Sequence, residues 1–245
     1  MTARSLPAIR WSSEKEFPLQ SGETLPELEI AYETWGELSD DGDNVVVILH
    51  ALSGSSHAFC GAENPEPGWW QALYEEGTPL QRGNYHVICA NIIGSCYGTT
   101  GPSSIHPATG APYAVDFPQI TLRDMIEAQR LLLKELGIDK PVTLLGGSMG
   151  GMLILTWMSE YPGEVSGAIC LATPPRSEGF TIALRSIQRD AILSDPNYRK
   201  GLYDADHFPE SGLSLARKIG MITYRSPEEF NERFGRNVKD PRNHF

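Results

Sequence analysis

Four short apolar runs constrain this chain more than any other feature. They are NVVVILH at 44–50, HVICANII at 86–93, VTLLGG at 142–147 and GAICLA at 167–172. Short continuous apolar runs of this kind read as strands covered on both faces. LEIAYETW at 28–35 is also strand-prone. Between the second and third runs lies TLRDMIEAQRLLLKELGI, in which Met125, Ala128, Leu132 and Leu136 recur at helical spacing and Gly137 offers a stop. After the third run, MLILTWMSEY is long enough for a buried helix and meets Pro162. Strands alternating with helices predict an α/β fold, a mostly parallel sheet with helices on both faces.

From about Phe180 the strand-like runs stop. RSIQRDAILSD, LSLARKIGMITYR and SPEEFNERFG read instead as short helices. Ser226-Pro227-Glu228-Glu229 combines an N-cap, a proline at the first helical position and a capping-box glutamate. The expected division is an α/β body over residues 1–179 and a helical region over 180–245.

Composition narrows the function classes. With 20 basic and 31 acidic side chains the net charge is −11, and no basic run is present to neutralise phosphates, so nucleic acid is an unsuitable partner. The longest aliphatic run, VVVIL at 45–49, is far too short to span a bilayer, so no membrane partner is expected either. MTARSLPAIRWSSEKEF lacks the apolar stretch of a signal peptide. Cys60, Cys89, Cys96 and Cys170 form no CxxC pair. That spacing argues against a zinc site or a disulfide scaffold, and no metal site is expected. Three of the four lie in or beside apolar segments, which suggests buried thiols in a reducing cytoplasm.

Gly146-Gly147-Ser148-Met149-Gly150 matches G-x-S-x-G, set between an expected strand and an expected helix. In such a turn the serine is a nucleophile in a strained conformation. Side chains two positions away would collide, and the following helix aims its first amides at developing negative charge. A phosphate loop would need Gly-Lys-Ser/Thr, and a dinucleotide turn G-x-G-x-x-G; neither is spelled here. A purely structural Gly-Ser turn stays open on the letters alone. If Ser148 is a nucleophile, a second loop should supply another oxyanion donor. The small-residue loop ALSGSSHAF after the first apolar run suits that task, through the backbone N–H of Leu52 or a neighbour, with Met149 N–H as its companion. His50 and His57 precede the serine, whereas the order in this fold is serine, acid, histidine; both are expected to be structural.

Six segments then occur in one order: LHALSGSSHA, GWW at 68–70, CANIIGSCYGTTGPSS at 89–104, DFPQITLRDM at 116–125, GGSMGGM at 146–152 and LARKIGMITYRS at 215–226. On the residues alone, the stretch 94–104 would be a polar surface loop of the kind that lines a cleft. Together the segments resemble the homoserine O-acyltransferase family (the homoserine O-acetyltransferases of methionine biosynthesis), within the α/β-hydrolase superfamily. The resemblance implies ping-pong acyl transfer, the first step of the methionine branch. Ser148 would take the acyl group from an acyl-CoA, with acetyl-CoA as co-substrate and no bound cofactor, and pass it to L-homoserine. The helices after 180 would form a lid excluding water, through which the family commonly dimerises. Arg217, in the LAR motif, would contact the substrate; without the resemblance, a surface arginine on an amphipathic helix is an equal reading.

The family's chains continue past the position of Phe245, and its catalytic Asp and His lie there. Downstream of Ser148 this sequence holds only His207, in the polar stretch DADHFPE, and the penultimate His244. The chain therefore reads as an N-terminal portion with the last strands of the fold absent, cytoplasmic, and without full activity by itself. The alternatives are an esterase or thioesterase of the same fold, an O-succinyltransferase or a serine O-acyltransferase. A non-catalytic binding protein would have no need of the intact turn around Ser148.

Overall fold

Three of the four apolar runs, at 44–50, 86–93 and 142–147, occupy the middle of one six-stranded sheet. The fourth, at 167–172, forms a mostly exposed strand at the end of that sheet, which corrects the expectation of cover on both faces there. In a computed structural model, which describes residues 9–13, 15–62, 64–204 and 206–235, the strands are β1 (Ile9–Ser13), β2 (Phe17–Pro18), β3 (Thr24–Leu25), β4 (Leu28–Trp35), β5 (Val45–Leu49), β6 (His86–Ala90), β7 (Val142–Gly147) and β8 (Val165–Leu171). The main sheet runs β1-β4-β6-β5-β7-β8, while β2 and β3 form a separate small hairpin. Strands β6, β5, β7 and β8 are parallel; β4 pairs antiparallel with both β6 and β1. The described residues fall into two compact units that divide between Pro175 and Arg176.

All five residues of β5 are buried. Val45, Val47 and Leu49 face the larger core, and Val46 and Ile48 face a second one with Trp35, Phe59 and Leu145. This is why the run is continuous: neither face meets water. The larger core is closed by α2 (Leu122–Glu135) and α3 (Met149–Glu160). On the opposite face the cover is slighter, from Trp70, Leu73, Tyr74 and Leu80, the last in the one-turn helix α1 (Pro79–Arg82).

Helix α2 begins with a reciprocal capping box between Thr121 and Asp124, the ends of the TLRD stretch. It ends in a Schellman arrangement: Ile138 N–H donates to Leu133 O at 2.9 Å and Gly137 N–H to Lys134 O at 3.0 Å, with Gly137 at φ +73°. Its buried apolar side chains are Ile126, Ala128, Leu132 and Leu133, whereas Met125 and Leu136 are only partly covered. Arg130 of α2 grips Glu164 with two bonds of 2.7 and 2.6 Å and lies 3.4 Å above the Tyr161 ring. That contact ties α2 to the turn that ends α3.

The second unit holds α4 (Gly179–Leu193), α5 (Glu210–Thr223) and α6 (Pro227–Phe234). Helices α4 and α5 pack together where Gly212 meets the Ala191 carbonyl and Gln188 Nε2 donates to Ala216 O at 2.8 Å. Ser226 caps α6 by accepting the Glu229 N–H at 3.2 Å. The Glu229 carboxylate is bonded to Arg225, so a different partner takes the group expected to close the capping box.

The expectation of buried thiols holds for Cys89. Cys60 is half-buried, and Cys96 and Cys170 are exposed. Cys170 lies on β8, which has β7 as its one strand neighbour among the described residues, and Cys96 lies in the turn region after β6. His244 lies outside the described residues.

Candidate active site

Strands β5 and β7 are adjacent and parallel, yet the chain leaves their carboxyl ends in opposite directions, toward β6 and toward β8. Such a switch point opens a crevice at the strand ends, where open α/β sheets place their ligands. Ser148 stands there.

Ser148 follows β7 directly, at φ +53° and ψ −118°, and α3 starts at the next residue. Its side chain is exposed. Gly146 and Gly150 make this turn possible. A Cβ on Gly150 would lie 1.8 Å from the Leu49 carbonyl oxygen, and one on Gly146 would lie 2.9 Å from the same atom. The first turn of α3 therefore rests on the end of β5. Ser148 N–H donates to Leu171 O at 2.9 Å, and Ser148 O accepts Met152 N–H at 3.1 Å. The N–H of Met149 belongs to the first turn of α3, where no intrahelical acceptor exists.

The loop after β5 carries Leu52, whose side chain is 72% exposed. Its backbone is held from below. His50 is buried, its Nε2 accepts Ile92 N–H at 3.1 Å, and its Nδ1 therefore donates to Ala51 O at 2.8 Å. Burial pushes the His50 pKa down, favouring that neutral ring. His57 is buried as well, with Nδ1 2.9 Å from Glu33 Oε2 and Nε2 2.8 Å from Glu66 O. Ser56 bonds Glu33 through its hydroxyl at 3.2 Å and Asn91 Oδ1 through its N–H at 2.6 Å. His50 and His57 thus have their ring nitrogens engaged in holding loops.

The stretch 94–104 is less exposed than its composition suggests. Thr99 and Thr100 are buried: Thr99 Oγ1 accepts Ala31 N–H at 3.0 Å, and Thr100 Oγ1 accepts Glu29 N–H at 2.8 Å. These hydroxyls satisfy amides of β4, so the reading as a polar surface loop holds for Gly94, Cys96, Tyr97, Pro102 and Ser103, which are exposed, and is corrected for Thr99 and Thr100. The GWW motif also acquires a reason. A Cβ on Gly68 would lie 2.2 Å from the Ala58 carbonyl carbon, and Trp69 Nε1 donates to Ser55 O at 2.8 Å. Residue types alone did not single out Glu33, Asn91 or Trp69, because their partners are distant in sequence.

Arg217 is exposed on α5, in the second unit. His207 is exposed beside Asp204, with Nδ1 3.2 Å from Oδ1. Among the described residues no group of His, Cys, Asp and Glu side chains is placed to hold a metal ion. No described helix is long and apolar enough to cross a membrane.

Residues 44–244 match the family model described as the alpha/beta hydrolase fold. The chain is 49% identical to a homoserine O-acetyltransferase of Moorella thermoacetica over 93% of its own length and 61% of that protein's. It is 45% identical to a serine O-succinyltransferase of Xanthomonas campestris over 89% of its length and 58% of that protein's. The chain thus spans about three fifths of the length of these curated relatives. Among solved structures, homoserine O-acetyltransferase from Bacillus anthracis superposes with a TM-score of 0.84 at 31% identity, covering 95% of this chain and 65% of that one. Esterase E22 does so with a TM-score of 0.83 at 30% identity, covering 96% and 68%. The exposed serine on its strained turn at the switch point, the matched family model and these relatives agree: the chain belongs to the α/β-hydrolase fold family.

Proposed function

We propose that this chain carries the nucleophile and oxyanion hole of an enzyme that transfers an acyl group from acyl-CoA, acetyl-CoA in the first instance, to the hydroxyl of L-homoserine. The observation that carries the reading is Ser148, exposed at φ +53° between β7 and the first turn of α3. Its Oγ attacks the thioester carbonyl, giving up its proton to a base. The tetrahedral oxyanion is held by the N–H groups of Met149 and Leu52; the C–S bond then breaks and coenzyme A leaves as the thiol. The homoserine hydroxyl attacks the acyl-serine, the ester bond to Oγ breaks, and Ser148 regains a proton. His50 and His57 are spent on loop backbones and a buried carboxylate, so the base is a histidine later in the order serine, acid, histidine. The resemblance assigns Arg217 to substrate recognition, as a cation for a carboxylate.

The similarity to a serine O-succinyltransferase favours a second reading, with succinyl as donor group or serine as acceptor. In both readings the partners are small molecules, and nucleic acid is disfavoured by the net charge of −11. We place the enzyme in the cytoplasm, a compartment suited to its four free cysteines, and as a homodimer by resemblance. The test offers the full-length protein acetyl-CoA or succinyl-CoA with homoserine, serine or neither, and follows coenzyme A release and O-acyl product. Release that depends on homoserine and disappears in Ser148→Ala is expected. Equal release with and without an acceptor would identify a hydrolase instead.

A further inference from the structure

Gly151 of GGSMGGM lies outside the G-x-S-x-G pattern of the turn itself. Gly146 and Gly150 face the end of β5, whereas Gly151 faces the segment leaving β8. A Cβ on Gly151 would lie 2.1 Å from Thr173 Oγ1 and 2.7 Å from Thr173 Cβ. That hydroxyl stands 2.8 Å from the Ser148 carbonyl oxygen and 3.0 Å from the Leu171 carbonyl oxygen. With a single proton it donates to one of them at a time, and the shorter approach is to Ser148. Leu171 O meanwhile accepts the Ser148 N–H. To bring Thr173 into this place, Ala172 adopts φ +49°, a left-handed conformation that alanine disfavours. Residues 171–173 therefore hold both main-chain polar groups of the nucleophile.

Peptide planarity gives this contact a chemical consequence. The Ser148 carbonyl and the Met149 N–H belong to one rigid trans plane and point in opposite directions. Fixing one fixes the other. We propose that Thr173 is a positioning residue for the oxyanion hole: its hydroxyl holds the Ser148–Met149 peptide so that the Met149 N–H is aimed before charge develops. Donors aimed in advance are worth more than donors that must rotate during the reaction. The catalytic part of this inference rests on the acyl-transfer reading given above; the holding of the peptide plane does not. Strain at Ala172 and the missing side chain at Gly151 both serve the same contact, which explains the glycine that follows G-x-S-x-G at position 151.

The test compares Thr173→Val, which keeps the shape and loses the donor, with Thr173→Ser, which keeps the hydroxyl. Two readouts are taken on the full-length protein: the amide resonance of Met149 under selective ¹⁵N-methionine labelling, and the rate of Ser148 acylation by p-nitrophenyl acetate, quantified on the acylated peptide. The valine variant should shift the Met149 resonance and slow acylation roughly tenfold, since misalignment costs less than outright loss of a donor. The serine variant should return both toward wild type. A merely structural threonine would lower the thermal midpoint while leaving resonance and acylation of the folded protein unchanged, which overturns the proposal. So would equal losses in both variants. Absence of Ser148 acylation in the wild type overturns the acyl-transfer reading and the catalytic role with it, whereas wild-type acylation in Thr173→Val overturns this inference alone.

Discussion

Ser148 keeps a backbone conformation that serine rarely adopts, and its glycine neighbours bear the steric consequence. Two glycines of the same unit separate that demand from the general cost of adding a methyl group. At Gly150 a Cβ would meet the Leu49 carbonyl oxygen at 1.8 Å, while at Gly163 nothing lies within 4 Å. Gly150→Ala should lower the unfolding free energy by about 3 kcal/mol or more, because β5 or α3 must shift to admit it. Gly163→Ala should stay within about 0.5 kcal/mol of wild type. Urea unfolding of both variants checks this; equal stabilities would mean that α3 does not rest on β5. The nucleophile turn was legible in the letters because its steric demands fall on residues within two positions of the serine. The network below the Leu52 loop was not, since His57 finds Glu33 across 24 residues and Thr99 finds Ala31 across 68. Thr173 has no local signature for the same reason, lying 25 residues from the carbonyl it holds.

Strands were legible from continuous apolar runs, which both buried faces dictate in β5; β8 carries such a run although it is mostly exposed. Strand β1, an edge strand, left no apolar run to find, and the apolar stripe of α2 runs through Ile126 and Leu133 rather than Met125 and Leu136. A helix lying over a sheet buries a broad stripe, so several registers of apolar residues satisfy the periodicity and packing selects among them. The join between α2 and the turn after α3 is electrostatic and was likewise invisible. The Arg130 guanidinium bonded to Glu164 holds that carboxyl below its usual range, and Trp157 Nε1 adds a bond of 3.1 Å. A carboxyl with a lowered folded-state pKa stabilises the fold above its unfolded pKa, and that contribution is lost as pH falls through the folded value. Glu164→Gln should therefore unfold at a lower urea concentration than wild type at neutral pH. The gap should close as pH falls through the lowered folded-state pKa, where wild-type Glu164 becomes protonated too. A gap independent of pH would show that the carboxylate charge is not what joins the two elements. Glu164 is partly solvated, so the difference is expected to be modest.

At the scale of the whole molecule, charge and shape compete. A net charge of −11 opposes association at neutral pH, and the sequence pI of about 5.0 marks where that repulsion ends. Strand β8 works against it. It pairs with β7 alone among the described residues, with Ile169 51% and Leu171 43% exposed, and Leu155 and Met158 of α3 are exposed in the same unit. An apolar edge strand with free N–H and C=O groups is a template for pairing with another chain. The 245-residue chain should accordingly associate as pH approaches 5, and two substitutions at one position tell the causes apart. Ile169→Glu makes the net charge one unit more negative and Ile169→Lys one unit less negative, yet both put a charge on the edge. If net charge governs association, light scattering at neutral pH should fall for the glutamate variant and rise for the lysine variant. If the β8 edge governs it, scattering should fall for both, and the lysine result decides because the two causes predict opposite signs there. The expected outcome is a fall in both: one unit in eleven changes the long-range repulsion little, whereas a buried, unpaired charge between two strands costs several kcal/mol, on the order of the pairing energy it must oppose.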